Sequence, residues 1–96
     1  MRKNYIVSYD IKDPKRLYRI HKKLRGYGDS LQYSVFLCEL SAKEKMIMIS
    51  ELLEIINIKE DNLLLFDIGQ SSYATNKKIT MFGEKVEIKE RSAVII

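Results

Sequence analysis

The chain has 96 residues, and 46% of them are hydrophobic, which predicts one small globular domain and argues against a disordered chain. Basic residues number 17 against 13 acidic ones, and the resulting net charge of +4 favours anionic partners without identifying them. A single cysteine, Cys38, excludes an internal disulfide and fits a reducing compartment. No segment has the length of a membrane span or the composition of a signal peptide, so we expect a cytoplasmic protein without membrane contact.

The first predicted strand covers residues 5–11, which are mainly apolar, β-branched or aromatic. Asp10 lies near its end, directly before a basic helix, and strand ends that face a helix N-terminus often bind ligands. We therefore place the candidate functional centre at Asp10, with phosphates and a metal ion as its partners. Spacing alone leaves an alternative open, in which Asp10 pairs with Lys12 or Lys15 and binds no metal.

The first helix is predicted over residues 14–27. Asp13 suits its N-cap, Pro14 its first position, and Gly28 a left-handed stop. Its apolar stripe consists of Leu17, Ile20 and Leu24. His21 lies beside this stripe. We assign it no role, because no residue at a recognisable spacing could act with it in catalysis.

Basic residues cover the rest of the first helix, and Asp13 is the only acidic residue in this stretch. The basic residues are Lys12, Lys15, Arg16, Arg19, Lys22, Lys23 and Arg25. Most charged helix faces are simply solvated. Here, however, like charges three and four residues apart repel, so a bound anion would relieve the repulsion.

Residues 31–40 read as one bent strand or two short ones. The second helix opens with a capping box formed by Ser41 and Glu44. Its predicted buried stripe consists of Ala42, Met46, Ile49, Leu53 and Ile56. Residues 63–68 are apolar on both faces, which predicts an internal strand.

Weaker strands are predicted over residues 77–82 and 85–88, after a polar loop over residues 69–76. The chain ends on the aliphatic segment 92–96, which needs a partner for its apolar side chains. Addition of this segment to the sheet edge of another subunit would cover it. We therefore expect a homodimer with exchanged C-terminal strands.

The order of the elements predicts an α+β, ferredoxin-like (βαββαβ) sandwich with an additional C-terminal strand. Residues 1–96 form a single domain in this prediction. Residues 1–68 are its core, and residues 69–96 are the loop and the exchanged strands. One face of the sheet stays open unless a second subunit covers it.

The sequence resembles the CRISPR-associated Cas2 family. The resemblance is carried by residues 9–11, the basic helix with Arg16 and Arg19, residues 27–28, residues 32–36, and residues 39–40. It covers residues 4 to 68 well and the C-terminal segment loosely.

The resemblance implies a ferredoxin-like homodimer of the spacer-acquisition machinery, in which the two copies of Asp10 hold a divalent metal, Mg²⁺ or Mn²⁺. It implies a metal-dependent endonuclease on RNA or double-stranded DNA, with Asp10 as catalytic residue and metal ligand. The expected phosphate-binding residues are Lys12, Lys15, Arg16, Arg19 and Lys23. The expected supporting residues are Tyr9, Ser34 and Phe36, and core packing is the preferred explanation of Tyr9.

The main alternative is a non-catalytic scaffold that grips a duplex backbone without reading sequence and joins the integrase called Cas-one. A single-stranded RNA-binding module of the same fold is disfavoured, because the glycine-aromatic signature on a central strand is absent. A small-molecule regulatory domain is disfavoured as well, since the chain has no recognisable ligand loop.

Overall fold

The computed structural model describes residues 1–70 and 79–84. Its elements follow the order β1 (Arg2–Asp10), α1 (Pro14–Arg25), β2 (Gly28–Gln32), β3 (Val35–Ser41), α2 (Ala42–Ile55) and β4 (Asn62–Gln70). The four strands form one antiparallel sheet in the order β2-β3-β1-β4. This is the predicted βαββαβ arrangement, and the predicted stretch 31–40 is two strands joined by a turn.

Both helices pack on one face of the sheet and enclose the core. Alternate residues of β1 and β3 point into it, among them Val7 and Phe36, which are fully buried. Helix α1 contributes Ile20 and Leu24, and α2 contributes Met48, Leu52 and Ile55. No described helix has the length and apolarity that crossing a membrane would require.

Local hydrogen bonds begin both helices as the sequence predicts. The Asp13 carboxylate accepts from the Arg16 amide at 2.9 Å, and Pro14 occupies the first turn of α1. At α2, the Ser41 hydroxyl accepts from the Glu44 amide while the Glu44 carboxylate accepts from the Ser41 amide. These caps fix where each helix starts relative to the preceding strand.

The predicted end of α1 is wrong. The helix stops at Arg25, and Gly26 caps it with φ of −78°, so no left-handed residue is used. Gly28 instead lies in β2, where a side chain would not fit. A Cβ at this position would collide with the Leu37 carbonyl oxygen and would lie 2.7 Å from the Cys38 sulfur.

The predicted buried stripe of α2 is also wrong in register. Met48, Leu52 and Ile55 face the core, while Met46 and Leu53 are exposed. Ile49 and Ile56 pack at the margin of the core, and Ala42 is exposed. Apolar residues occur on all sides of α2, so the periodicity of the sequence alone does not select the buried face.

Strand β4 was predicted to be internal, but it lies at one edge of the sheet formed by the described residues. Its two faces are apolar for different reasons. Leu63 and Leu65 pack against the core, whereas Leu64 and Phe66 lie on the sheet face opposite the helices. Residues 79–82 form no strand, and the predictions for residues 85–88 and 92–96 fall outside the described residues.

Candidate functional site

Asp10 is the last residue of β1 and lies on the sheet face opposite the helices. Strand alternation puts its neighbour Tyr9 into the core and exposes 73% of the Asp10 side chain. Asn62 of β4 is its cross-strand partner. The nearest cation is the Lys12 ammonium, 3.7 Å from an Asp10 carboxylate oxygen. This contact is the Lys12 pairing that the sequence left open.

The same sheet face carries an apolar surface, which we call the open-face patch. It is formed by Ile6 with Leu37 and Phe66 on either side, and by Val35 and Leu64 on either side of Ser8. Phe66 is 51% exposed although it is a large aromatic residue on a regular strand. Asp10 therefore lies at the margin of an exposed apolar surface.

The turn from β1 to α1 is fixed by Asp61, whose side chain is completely buried. Its carboxylate accepts from the Lys12 amide at 3.0 Å and from the Asn57 amide at 2.8 Å. It also accepts two hydrogen bonds from the Arg16 guanidinium, at 2.8 and 3.1 Å. The hydrogen bonds from Arg16 hold the pKa of Asp61 well below its usual range.

Arg16 is therefore occupied by the protein itself. Its guanidinium also reaches Glu60 at 3.1 Å, and only 21% of its side chain is exposed. Because these carboxylates take three of its five N–H donors, the geometry favours a positioning role for Arg16. Its predicted contact with phosphates stays a prediction.

The other basic side chains of α1 are more accessible. Lys15 and Arg19 are exposed and form no ion pair with any residue that the structure describes. Lys23 lies 3.8 Å from Glu51, at the far end of the helix from Asp10. Accessible cations thus run along α1 from the Asp10 end to the opposite end.

Behind Asp10, the Tyr9 side chain is held in the core. Its hydroxyl donates to the Tyr33 carbonyl oxygen at 2.9 Å and lies 3.0 Å from Nδ1 of His21. Since the hydroxyl has one proton, His21 donates from Nδ1 in this arrangement. Burial raises the pKa of Tyr9 above its usual range, so Tyr9 stays neutral.

The predicted supporting residues lie on different sides of this core. Phe36 is fully buried and contacts the rings of Tyr9 and His21, with centroid distances of 6.4 and 5.1 Å. It lies on the helix side of the sheet, so it supports Asp10 only through Tyr9. Ser34 accepts from the Tyr9 amide through its carbonyl oxygen at 3.1 Å and lies next to the end of β1.

Sequence reasoning missed Asp61, Asn62 and His21. Asp61 and Asn62 follow a loop far from Asp10 in the chain, and only strand pairing brings them to the site. His21 did carry a signal, because it stands at helical spacing with Leu17 and Leu24. In the part of the chain that the structure describes, no three acidic, histidine or cysteine side chains cluster as metal ligands.

Comparisons with known proteins agree with this fold. The family profile described as CRISPR associated protein Cas2 matches residues 3–76. A CRISPR-associated endoribonuclease Cas2 of Rhodospirillum rubrum is 37% identical over 92 residues, covering 96% of this chain and 89% of the relative. The CRISPR-associated endoribonuclease Cas2 of Geobacter sulfurreducens is also 37% identical and covers 96% of both chains.

Solved structures show the same architecture. A crystal structure of Streptococcus pyogenes Cas2 superposes with a TM-score of 0.72 at 25% identity, over 83% of this chain and 99% of that one. A hypothetical protein, TT1823 of Thermus thermophilus, reaches a TM-score of 0.77 at 22% identity, over 91% and 98% of the two chains, and so shares the fold. The profile match and the identities over nearly the whole chain establish that this protein belongs to the CRISPR-associated Cas2 family.

Proposed function

We propose that this protein is a metal-dependent endonuclease of the CRISPR adaptation machinery, and that it cleaves the phosphodiester backbone of RNA or double-stranded DNA. The observation that carries the proposal is the exposed Asp10 carboxylate at the margin of the open-face patch, beside the accessible cations of α1. The relatives that bear the name endoribonuclease favour RNA.

The proposed active form is a homodimer that covers the open-face patch. An isologous interface brings each surface against its own copy, so it would bring together two copies of the residues at the margin of the patch. The exposed Phe66 and Leu64 supply apolar area for such an interface. Exchange of the C-terminal strands would add to it and stays part of the proposal.

One chain does not supply a metal site by itself, because no group of three acidic, histidine or cysteine side chains forms among the described residues. Two copies of Asp10 with water fit Mg²⁺, which retains much of its hydration and needs few protein ligands; Mn²⁺ fits the same oxygen donors. The metal would supply Lewis acidity toward a phosphoryl oxygen and toward bound water.

The protein's own residues then bind and orient the backbone. Lys15 and Arg19 are free to bind phosphates on either side of the scissile bond, and Lys12 lies closest to Asp10. Arg16 and Asp61 hold the turn that carries Lys12. Tyr9 and His21 fix the strand end from inside the core.

The test is a cleavage assay on RNA and on double-stranded DNA, with Mg²⁺, with Mn²⁺ and with chelator. Asp10→Asn should lower cleavage to the level seen with chelator, because it removes the charged ligand and keeps the shape. Asp29→Asn is the matched control, since Asp29 is an exposed carboxylate on β2, the strand at the other edge of the same sheet. Equal activity of wild type and Asp10→Asn would overturn the proposed enzyme.

A second candidate is a non-catalytic scaffold that binds duplex DNA and the Cas-one integrase. The contact between Lys12 and Asp10 favours the scaffold, because Lys12 gives the Asp10 carboxylate a partner without a metal. In a scaffold, Asp10→Asn leaves DNA binding and integrase binding intact. Loss of the exposed cations in Lys15→Ala and Arg19→Ala weakens DNA binding in both candidates, so cleavage by the wild type distinguishes them.

A further inference from the structure

An open groove lies between α1 and α2, at the end of the helical layer away from Asp10, with a volume of about 730 Å³. We call it the helix groove. Its lining includes Tyr18, Arg19, Lys22, Lys23, Tyr27 and Glu51. Such a volume is in the range of ligand sites, and the lining combines two aromatic rings with three cations.

The inner wall of the helix groove is held in place by hydrogen bonding. The Tyr27 hydroxyl donates to the Glu51 carboxylate at 2.5 Å, and the Lys23 ammonium lies 3.8 Å from the same oxygen. The bond to Glu51 raises the pKa of Tyr27 to about 12, so the phenol remains a neutral donor. The Tyr27 ring is therefore presented in one orientation.

The outer wall of the helix groove is exposed and basic. Tyr18 is 40% exposed, and Arg19 and Lys22 form no ion pair with the described residues. Among the described residues, Glu51 is the only acidic residue of the lining. It already accepts the hydrogen bond from Tyr27 and pairs with Lys23. The groove is thus complementary to an anion and still has unused cations.

The cations of the groove continue toward Asp10. Lys15, Arg19 and Lys22 succeed one another at four- and three-residue spacing, so they share one face of α1 and are separated by about 4.5–6 Å along its axis. An extended polyanion lying on this face would reach from the Asp10 end of the helix into the groove. A compact anion would use only part of the row.

We propose that the helix groove binds a single-stranded segment of nucleic acid, with bases stacked on Tyr18 and Tyr27 and phosphates on Arg19 and Lys22. A duplex presents only phosphates here, because its bases are already stacked and cannot reach the tyrosine rings. An acidic peptide would use the cations and leave the aromatic rings without a matching partner. The choice of nucleic acid as the anion rests on the proposed function.

The experiment measures fluorescence anisotropy of labelled oligothymidylate and of a labelled blunt DNA duplex, in chelator so that neither is cut. Tyr18→Ala should weaken oligothymidylate binding about five- to a hundredfold, the usual loss for one stacking ring. Duplex binding should change less than about twofold, since no duplex base reaches Tyr18. Lys22→Glu should weaken oligothymidylate binding, and its salt dependence should fall.

Lys43→Glu is the matched control, because Lys43 is exposed at the start of α2, outside the groove, and the substitution changes the charge equally. Unaltered oligothymidylate binding in Tyr18→Ala and Lys22→Glu would overturn the proposed binding in the helix groove. It would leave the proposed function untouched. Displacement of oligothymidylate by polyglutamate at equal charge concentration would also overturn the proposed binding in the groove, and would mark a surface for acidic peptides. Failure of the wild type to bind either DNA oligonucleotide or a labelled RNA would overturn the proposed function as well.

Discussion

Arg16 and Asp61 are joined by two hydrogen bonds, from Nε and from one terminal nitrogen of the guanidinium to the two carboxylate oxygens. The contact ties the first turn of α1 to the residue before β4, across 45 positions of sequence. Asp61 also receives the Lys12 amide, two residues after Asp10. The geometry of the Asp10 site therefore depends on a side chain that is distant in the sequence and adjacent in the fold.

The first prediction concerns this pair. Arg16→Ala should lower the Tm by on the order of 5 °C or more, because it leaves the buried Asp61 carboxylate without its main partner. Arg19→Ala removes the same side chain from an exposed position of the same helix and should leave the Tm nearly unchanged. Thermal unfolding followed by circular dichroism measures both, and equal Tm values for the two variants would contradict the positioning role.

The pair also predicts an acid limit of stability. The folded-state pKa of Asp61 lies below its unfolded value, so its contribution is present above the ordinary aspartate pKa, about 3.9. It is lost as the pH falls through the lower, folded-state value. Asp61→Asn should therefore be less stable than wild type at neutral pH, with a difference that narrows in strong acid. A difference that stays constant with pH would contradict this linkage.

The buried His21 predicts a second, milder pH dependence. Its side chain is only 1% exposed, and Nε2 has no hydrogen-bond partner among the described residues. Burial and the nearby charge of Arg25 lower its pKa, although the Tyr33 carbonyl opposes them. Stability from the neutral ring is present above the unfolded pKa of about 6.5 and is lost as the pH falls below it.

Urea unfolding between about pH 7 and pH 5 measures this loss, which for one proton is at most about 1.4 kcal/mol per pH unit. His21→Gln cannot titrate in this range, so its profile should be flatter than that of the wild type. Parallel profiles for the two proteins would show that another group is responsible.

Substitution of Gly28 by a larger residue should disturb the packing of β2 against β3. Gly28→Ala puts a methyl group against the Leu37 carbonyl and the Cys38 sulfur, and backbone in β3 has to move. The expected loss in the free energy of unfolding is about 1–3 kcal/mol. Gly26→Ala is the control, since its Cβ meets the Lys23 carbonyl oxygen at 3.3 Å and its φ is negative. Equal stability of both variants in urea would contradict the close approach.

The open-face patch predicts the oligomeric state. Phe66→Arg should convert the proposed dimer to monomer, because a charge at the centre of an apolar interface is left without a partner. Met46→Arg, on the exposed side of α2, should leave the dimer intact. Sedimentation velocity distinguishes the two outcomes, and a dimeric Phe66→Arg would move the interface elsewhere.

Features specified by neighbouring residues could be predicted from the sequence. The caps at Asp13 and Ser41 each depend on a partner three residues away, and both predictions are confirmed. The βαββαβ order follows from composition and turns, and the sheet confirms it. The resemblance to the Cas2 family rested on such local segments and is confirmed by the family profile.

Features that depend on distant contacts could not be predicted. The partner of Arg16 lies on a loop that no spacing connects to α1. The buried face of α2 was placed wrongly because Met46 and Leu53 are as apolar as Met48 and Leu52. The position of β4 at the edge of the sheet that the described residues form was not predicted, because apolarity on both faces resembles that of an internal strand.

In the proposed dimer, two copies of Asp10 together hold one divalent ion. Electron paramagnetic resonance counts bound Mn²⁺ during titration of the wild type and of Asp10→Asn. We expect one ion per two wild-type chains and none at this site in the variant. One ion per chain, or an unchanged count in Asp10→Asn, would contradict this shared site.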